Sequence, residues 1–384
     1  MIDSLTTTRC LLPDGVIAPA TIAWNAGAIG EVSGTAMAAR LDAGDMLVMP
    51  GLVDLHGDGF ERQILPRPGV SFAMEIALAE TDRQMLANGI TTAFHAVTYS
   101  FEPGLRGAAT VRAFMAAMRA MRGALGCDTR IHLRHETYNV DAVDEILGWI
   151  AAGEVDLLAF NDHTPPLLAK ARAGQSLLRY IERSGLDSEA FRALLLAAGE
   201  REPEIPEANR RLADAARMAG VRLASHDDET VEMRAAYREL GCTISDFPKA
   251  AAPAADARMR GETTILGAPN VVRGGSQSGG ITAADAIRDG LCDALASDYY
   301  YPSLLQAPFR LAAEGVMPLA SAWALVSSGP AAAACLMDRG SIAPGKRADL
   351  VVDDDRVPDL PRAVAVIANG RPLLLDAGSL SMRG

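Results

Sequence analysis

Hydrophobic and polar positions follow a repeating pattern along the middle of the chain. Short apolar runs are separated by longer segments rich in alanine, leucine and arginine, in which apolar residues recur with helical spacing. This alternation predicts strand–helix units that build a parallel sheet. The predicted strands cover residues 47–55, 91–97, 130–136, 157–160, 222–225, 270–272 and 294–297, with an eighth near 243–245. The predicted helices include residues 73–88, 108–125, 206–219 and 283–289.

Both ends of the chain have a different pattern. Short apolar segments alternate there with turn-forming sequences such as Asp14-Gly15 near the start and Asn369-Gly370 near the end, which predict strands joined by tight turns. We therefore expect one small β-sandwich domain formed by both termini, from residues 1–50 and 335–384. Residues 51–334 would form the α/β domain, a (β/α)8 TIM barrel.

Composition narrows the class of protein. The 384 residues are 49% hydrophobic and 22% charged, as in an ordinary globular protein. The five cysteines have no CxxC spacing, which predicts reduced thiols and a cytoplasmic location. The chain has no signal-peptide pattern and no apolar run near the ~20 residues that span a bilayer, so we expect no membrane association.

Charge indicates which partners to expect. A net charge of -12 argues against nucleic-acid binding, which depends on a basic surface. A small-molecule anionic substrate is compatible with this charge if metal ions or local arginines hold it. The sequence is also compatible with a homo-oligomer.

Candidate metal ligands follow five of the predicted strands. Because the carboxyl ends of barrel strands meet at one mouth, ligands far apart in sequence can converge there. A single histidine is more often a hydrogen-bonded interior residue, but the repeated placement at strand ends favours a metal site. The candidate ligands are His56, Asp58, Glu136, His163, His226 and Asp298.

The spacing of His56 and Asp58 supports a shared ion. Side chains two apart on a strand lie on the same face, so both can enter one coordination sphere. Imidazole and carboxylate ligands suit Zn²⁺, Mn²⁺ or Fe²⁺, and a catalytic site keeps a position open for water. We therefore expect a divalent metal, with zinc as the first candidate and one or two ions.

Glu136 and Asp298 each fit two alternative roles. Glu136 shares a face with Arg134, whereas His135 points the other way, so only one of Glu136 and His135 should be a ligand. We favour Glu136, with a salt bridge to an arginine as its alternative. Asp298 can act as ligand and general base, or as the N-cap of a helix that starts at Pro302.

A segment rich in glycine and serine indicates phosphate binding. Residues 267–280 contain Arg273 and offer amides, hydroxyls and a guanidinium to phosphate oxygens, although a lid would have a similar composition. Arg62 and Arg67 follow the first ligand pair and could reach the same mouth, or could form surface salt bridges.

Two terminal segments resemble known signatures. Residues 50–56, Pro-Gly-Leu-Val-Asp-Leu-His, and residues 340–352 resemble the paired signatures of the amidohydrolase superfamily. The resemblance covers nearly the whole chain and implies a barrel with a β-sandwich from both termini. Residues 65–70, 223–228, 267–275 and 297–299 are similar to its phosphonate-metabolism branch, the alpha-D-ribose 1-methylphosphonate 5-triphosphate diphosphatases.

The resemblance implies a reaction and a set of roles. The branch hydrolyses the ribose 5-triphosphate to the 5-phosphate and diphosphate. The alternative within the superfamily is a cyclic amidase or an aminohydrolase (deaminase) acting on a small heterocycle. A barrel that binds a ligand without catalysis is a third interpretation. Carried over by position, the implied ligands are His56, Asp58, Glu136, His163, His226 and Asp298, with Asp298 also the base, and the implied phosphate contacts are Arg67, Arg273, Ser276 and Ser278.

The chain also departs from the pattern of this branch. Gly57, Gly59, His135 and residues 277–280 differ from the usual residues at those positions, and they surround the expected pocket. These differences leave the implied metal ligands in place. They bear on the substrate that the pocket accepts.

Overall fold

The computed structural model describes residues 2–34, 39–275, 281–357 and 360–382. Eight parallel strands surrounded by helices form a nearly closed barrel, and a second, largely antiparallel sheet is built from both termini. The predicted fold class, a (β/α)8 barrel with a small β domain from both ends of the chain, is confirmed. The domain boundaries at residues 50/51 and 334/335 stay a prediction.

The strands of both sheets are numbered along the chain. In the described residues they are β1 (Ser4–Leu11), β2 (Ile17–Asn25), β3 (Ala28–Ser33), β4 (Leu41–Asp42), β5 (Leu47–Pro50), β6 (Leu52–Gly57), β7 (Ile90–Tyr99), β8 (Asp128–Glu136), β9 (Leu157–Asn161), β10 (Arg222–His226), β11 (Ile244–Asp246), β12 (Thr263–Gly267), β13 (Ala294–Ala296), β14 (Leu350–Asp354), β15 (Arg362–Ala368), β16 (Arg371–Leu375) and β17 (Ser381–Met382).

The helices follow the barrel strands and cover the outside of the barrel. They are α1 (Glu61–Ile64), α2 (Met74–Ala87), α3 (Ala108–Met121), α4 (Val143–Ala151), α5 (Thr164–Arg172), α6 (Leu178–Ser184), α7 (Ser188–Gly199), α8 (Ile205–Met218), α9 (Val231–Glu239), α10 (Ala251–Met259), α11 (Ala268–Arg273), α12 (Ala283–Arg288), α13 (Pro302–Ala313), α14 (Leu319–Ala324) and α15 (Ser328–Ala333). Short 3₁₀ turns precede α4 and α8. None of the helices in the described ranges combines the length and apolar character needed to span a membrane.

The barrel strands pair in sequence order from β6 to β13, and every pair is parallel. The first and last strands meet beyond their ends: Asp298 N–H donates to the His56 carbonyl at 2.8 Å, and Asp58 N–H donates to the Asp298 carbonyl at 2.9 Å. Closing the barrel therefore places three predicted site residues side by side.

The second sheet has the order β16-β15-β14-β5-β1-β2-β3, with β4 pairing with both β1 and β17. Gly51 links this sheet to the barrel, because β5 ends at Pro50 and β6 begins at Leu52. A Cβ atom at Gly51 would collide with the Thr91 side chain, so only glycine fits between the two sheets.

The strand predicted at residues 270–272 is wrong. These residues lie in α11, and the seventh barrel strand is β12, just before them. Pro269 occupies the first turn of α11, where its missing N–H costs no hydrogen bond. Val271 and Val272 pack against the barrel, and apolar residues that are buried in this way are also typical of a strand. This shared composition explains the wrong prediction.

Candidate metal centre

Six barrel strands deliver acidic and imidazole side chains to one mouth. Their ligand atoms form three overlapping groups, in each of which the atoms lie within 4.8 Å of one another: His56, Asp58 and Asp298; His56, His226 and Asp246; and His163, His226 and Asp227. Five of the predicted ligands are therefore brought together. The sixth, Glu136, is adjacent to these groups but belongs to none of the three.

Asp246 joins two of the histidines. Its Oδ2 atom lies 2.7 Å from His56 Nδ1 and 2.9 Å from His226 Nδ1, and all three side chains are buried. A carboxylate that accepts the Nδ1 proton fixes the orientation of an imidazole and leaves its Nε2 free to bind a cation. Asp246 is thus placed to orient both rings.

His163 lies between two carboxylates. Its Nδ1 is 2.6 Å from Glu136 Oε1, and its Nε2 is 3.3 Å from Asp227 Oδ2. Burial lowers the pKa of His163, but the charges of Glu136 and Asp227 outweigh this and raise it to about 9. Glu136 therefore contacts His163 and, through it, the ligand groups.

Asp58 and Asp298 lie together where the barrel closes. Burial, followed by repulsion from Asp58, raises the pKa of Asp298 to about 8. Burial also raises the pKa of Asp58, with a further contribution from Glu61. Carboxylates that resist ionisation together are stabilised by a cation placed between them.

The backbone at this mouth is unusual. Asp227, Phe247 and Asp298 have φ angles of 61°, 59° and 54°, in the left-handed region that favours glycine. These residues follow the carboxyl ends of β10, β11 and β13. Such strain persists only where the surrounding structure enforces it, and it is concentrated at functional sites.

Arg134 places a guanidinium among these groups. Its Nη2 donates to His226 Nε2 at 2.8 Å, and its Nη1 lies 3.5 Å from Asp58 Oδ2. The alternation along β8 placed Arg134 and Glu136 on one face, and both side chains reach the mouth. His135 is fully buried, and its ring nitrogens have no hydrogen-bond partner in the described part of the chain.

The predicted phosphate contacts are only partly located. Arg273 is exposed at the end of α11 and donates to the Tyr299 hydroxyl at 3.2 Å, next to Asp298. Arg67 is exposed in a turn and makes no side-chain hydrogen bond or ion pair with the described residues. Ser276 and Ser278 lie outside the described residues. Arg62 contacts the same tyrosine as Arg273. Its guanidinium lies 5.6 Å from the centre of the Tyr299 ring.

The sequence analysis did not predict three residues of this cluster as site residues: Asp227, Asp246 and Arg134. Asp227 stands directly after His226, so its strand-end position was visible in the sequence. Asp246 ends the strand that was only guessed near residues 243–245. Placing that strand one residue further would have indicated Asp246 as well.

The donor set fits a divalent cation. Imidazole nitrogens and carboxylate oxygens are the ligands that Zn²⁺, Mn²⁺ and Fe²⁺ share. Asp246 Oδ1 and His132 Nε2 are buried and have no hydrogen-bond partner in the described ranges. The site thus combines suitable donors with polar atoms that the protein leaves unsatisfied.

A cavity of about 460 Å³ opens beside the candidate metal centre. Glu136, His163 and Asp227 form one part of its wall. The remainder includes two more carboxylates, Glu102 and Glu229, and five basic side chains: Arg106, Arg134, Lys170, Arg183 and Lys249. The arrangement suits an anionic molecule bound next to a cation.

Known proteins resemble the chain in sequence and in fold. Residues 193–374 match the Amidohydrolase family. Alpha-D-ribose 1-methylphosphonate 5-triphosphate diphosphatase from Escherichia coli (strain K12) is 34% identical over 315 residues, which cover 79% of this chain and 82% of that protein.

Solved structures show the same fold at low identity. N-isopropylammelide isopropylaminohydrolase from Burkholderia multivorans has a TM-score of 0.63 at 18% identity, covering 97% of this chain and 99% of that one. Dihydropyrimidinase from Brevibacillus agri has a TM-score of 0.57 at 14% identity, covering 98% and 95%. These structures show the fold alone. The 34% identical relative, with the family match, shows that the chain is a hydrolase that belongs to the amidohydrolase superfamily, in the branch of the ribose methylphosphonate triphosphate diphosphatases.

Proposed function

We propose that the protein is a metal-dependent hydrolase that cleaves alpha-D-ribose 1-methylphosphonate 5-triphosphate to the 5-phosphate and diphosphate in phosphonate catabolism. One observation carries the proposal: the imidazole and carboxylate cluster borders, through His163 and Asp227, a cavity whose wall includes five basic side chains as well as four carboxylates. The 34% identical relative bears the name of this activity. A highly anionic substrate matches a cavity of this kind.

The proposed cofactor is zinc, with manganese or iron as alternatives. His56, Asp58 and Asp298 would hold one ion, and His163, His226 and Asp227 would hold a second. A divalent cation bound there acts as a Lewis acid toward phosphoryl oxygens and water. The three overlapping ligand groups are compatible with one ion or two.

The side chains of the chain itself have separate roles in this proposal. Asp298 accepts the proton of the water that attacks the α-phosphorus, as its place beside Asp58 at the barrel closure allows. Arg134, which already contacts His226 and Asp58, stabilises negative charge on the phosphoryl oxygens. Asp246 keeps His56 and His226 in one orientation.

Hydrolysis in ¹⁸O-labelled water tests both the substrate and the bond that breaks. Zinc-loaded protein is incubated with the ribose triphosphate, and the products are identified by ³¹P NMR and mass spectrometry. We expect diphosphate without label and a 5-phosphate that carries one ¹⁸O atom. Label in the diphosphate would contradict attack at the α-phosphorus. Ammonia release from an amino-heterocycle, or ring opening of a cyclic amide, without any triphosphate cleavage would contradict the proposed substrate.

A further inference from the structure

Two of the basic side chains that line the cavity contact the ligand groups directly. Arg134 contacts His226 and Asp58. Lys249 Nζ lies 3.3 Å from Asp227 Oδ2 and 2.8 Å from Glu229 Oε1. Arg183 and Lys170, from α6 and α5, line the same cavity. An extended anion that starts at the metal centre and enters the cavity can therefore meet several cations.

Arg183 is only partly neutralised. Its Nη2 lies 2.5 Å from Glu102 Oε1 in an ion pair, but its buried Nε has no hydrogen-bond partner in the described part of the chain. Burial, followed by repulsion from Arg106, lowers the pKa of Arg183. Two guanidinium groups that crowd one another are stabilised by an anion between or beside them.

The neighbouring carboxylates leave room for such an anion. Glu102 and Glu229 are each already paired, with Arg183 and Lys249 respectively. Lys170 is exposed and forms no ion pair with any described residue. Lys170 and the Nε of Arg183 are therefore donors that remain available for oxygens from a ligand.

A smaller group of cations lies outside this cavity. Arg62 and Arg273 both contact Tyr299, which follows Asp298, and none of these three residues lines the cavity. The two cation groups therefore border different parts of the ligand cluster. A substrate with an anion at each end can use both.

We propose that the cavity is the subsite for the two terminal phosphates, the diphosphate leaving group, and that Arg183 and Lys249 recognise them. The inference rests on the proposed function. The terminal diphosphate carries more negative charge than the phosphonate at the other end of the substrate. It therefore belongs on the side with the larger set of cations, and the phosphonate end lies outside the cavity.

Binding of inorganic diphosphate to the zinc-loaded protein tests the assignment. Isothermal titration compares the wild-type protein with Arg183→Gln, Arg183→Lys and Lys249→Gln, and methylphosphonate is titrated in parallel. Arg130→Gln is the matched control, because its side chain has the same 25% exposure as that of Arg183 and also forms ion pairs, at the opposite end of the barrel. Zinc content is measured for each protein.

We expect Arg183→Gln and Lys249→Gln to weaken diphosphate binding by about ten- to a hundredfold, the loss of one charge-assisted hydrogen bond. Arg183→Lys should lose less, because it keeps the charge. Arg130→Gln should bind diphosphate like the wild type. Methylphosphonate binding should change by less than about twofold in every variant, because the proposed phosphonate end lies outside the cavity and these substitutions do not alter its contacts.

Two results would overturn the subsite. One is unchanged diphosphate affinity in both Arg183→Gln and Lys249→Gln, and the other is an equal loss in Arg130→Gln. The proposed function fails separately. If diphosphate binding depends on Arg183 and Lys249 but no ribose triphosphate is cleaved, the result supports the subsite and contradicts the proposed reaction.

Discussion

Replacing Asp246 by asparagine tests whether this carboxylate orients the candidate metal ligands. Its Oδ2 atom bonds to both His56 Nδ1 and His226 Nδ1, and the Asp246 side chain is fully buried. Asparagine keeps the size of the side chain. Its carbonyl oxygen can take the place of Oδ2 and accept from both rings, but it carries no charge, and its amide group takes the place of Oδ1, which has no hydrogen-bond partner in the described residues.

The expected magnitude follows from these two contacts. At least one charge-assisted hydrogen bond to a ring is lost, worth about 1.5–3 kcal/mol. At about 1.4 kcal/mol for each tenfold change, this corresponds to a ten- to hundredfold weaker zinc affinity. Loss of a carboxylate that orients metal-binding histidines elsewhere has an effect of about that size.

Zinc affinity is measured by competition with a chromogenic chelator. Asp353→Asn is the control, since Asp353 is also a fully buried strand carboxylate but lies in β14, in the other sheet. An Asp246→Asn protein that binds zinc as tightly as the wild type would show that Asp246 does not orient the ligands. A loss far above a hundredfold would instead identify Asp246 as a direct ligand.

Three further predictions concern catalysis and stability. Asp298→Asn should keep its backbone conformation, because asparagine tolerates the φ of 54°. If Asp298 is the general base, the substitution should lower kcat by about a hundred- to ten-thousandfold. A wild-type rate with zinc bound would contradict this role. Trp323→Ala should destabilise the protein by about 3–5 kcal/mol in urea unfolding, because Trp323 is fully buried and donates to the Pro50 carbonyl at 3.0 Å; a loss below about 1 kcal/mol would contradict this. Burial raises the pKa of Asp353 well above its ordinary value, so native protein keeps a proton that unfolded protein releases, and stability should fall as pH rises above the ordinary carboxyl pKa of 3.8. Asp353→Asn should therefore gain stability over the wild type as pH rises above about 4, with a slope of up to about 1.4 kcal/mol per pH unit, and an equal pH dependence in both proteins would contradict this.

Much of the fold could be predicted because its pattern is local. Strands buried on both faces are continuous apolar runs, and the surface helices that follow them repeat with helical spacing. The helix predicted at residues 206–219 is observed as Ile205–Met218, and the strand predicted at 157–160 as Leu157–Asn161. The error at residues 270–272 arose because burial gave a short helix the composition of a strand.

Strand-end position also predicted several of the residues that reach the mouth. His56, His163, His226 and Asp298 follow strand ends, and the parallel barrel then requires them to converge. The assignment of Glu136 as a ligand stays a prediction, and the structure places its carboxylate against His163. Sequence position specifies the strand end but not the partner of each side chain.

The partner of each side chain depends instead on tertiary packing. The bonds from Asp246 to two imidazoles, the approach of Arg134 to His226, and the cationic wall that includes Arg183 join residues that are far apart in sequence. Such contacts depend on strand register, on the closure between β6 and β13, and on helices packed outside the barrel. Local periodicity carries no information about these distances, because they are set by how the elements pack together rather than by how each one forms.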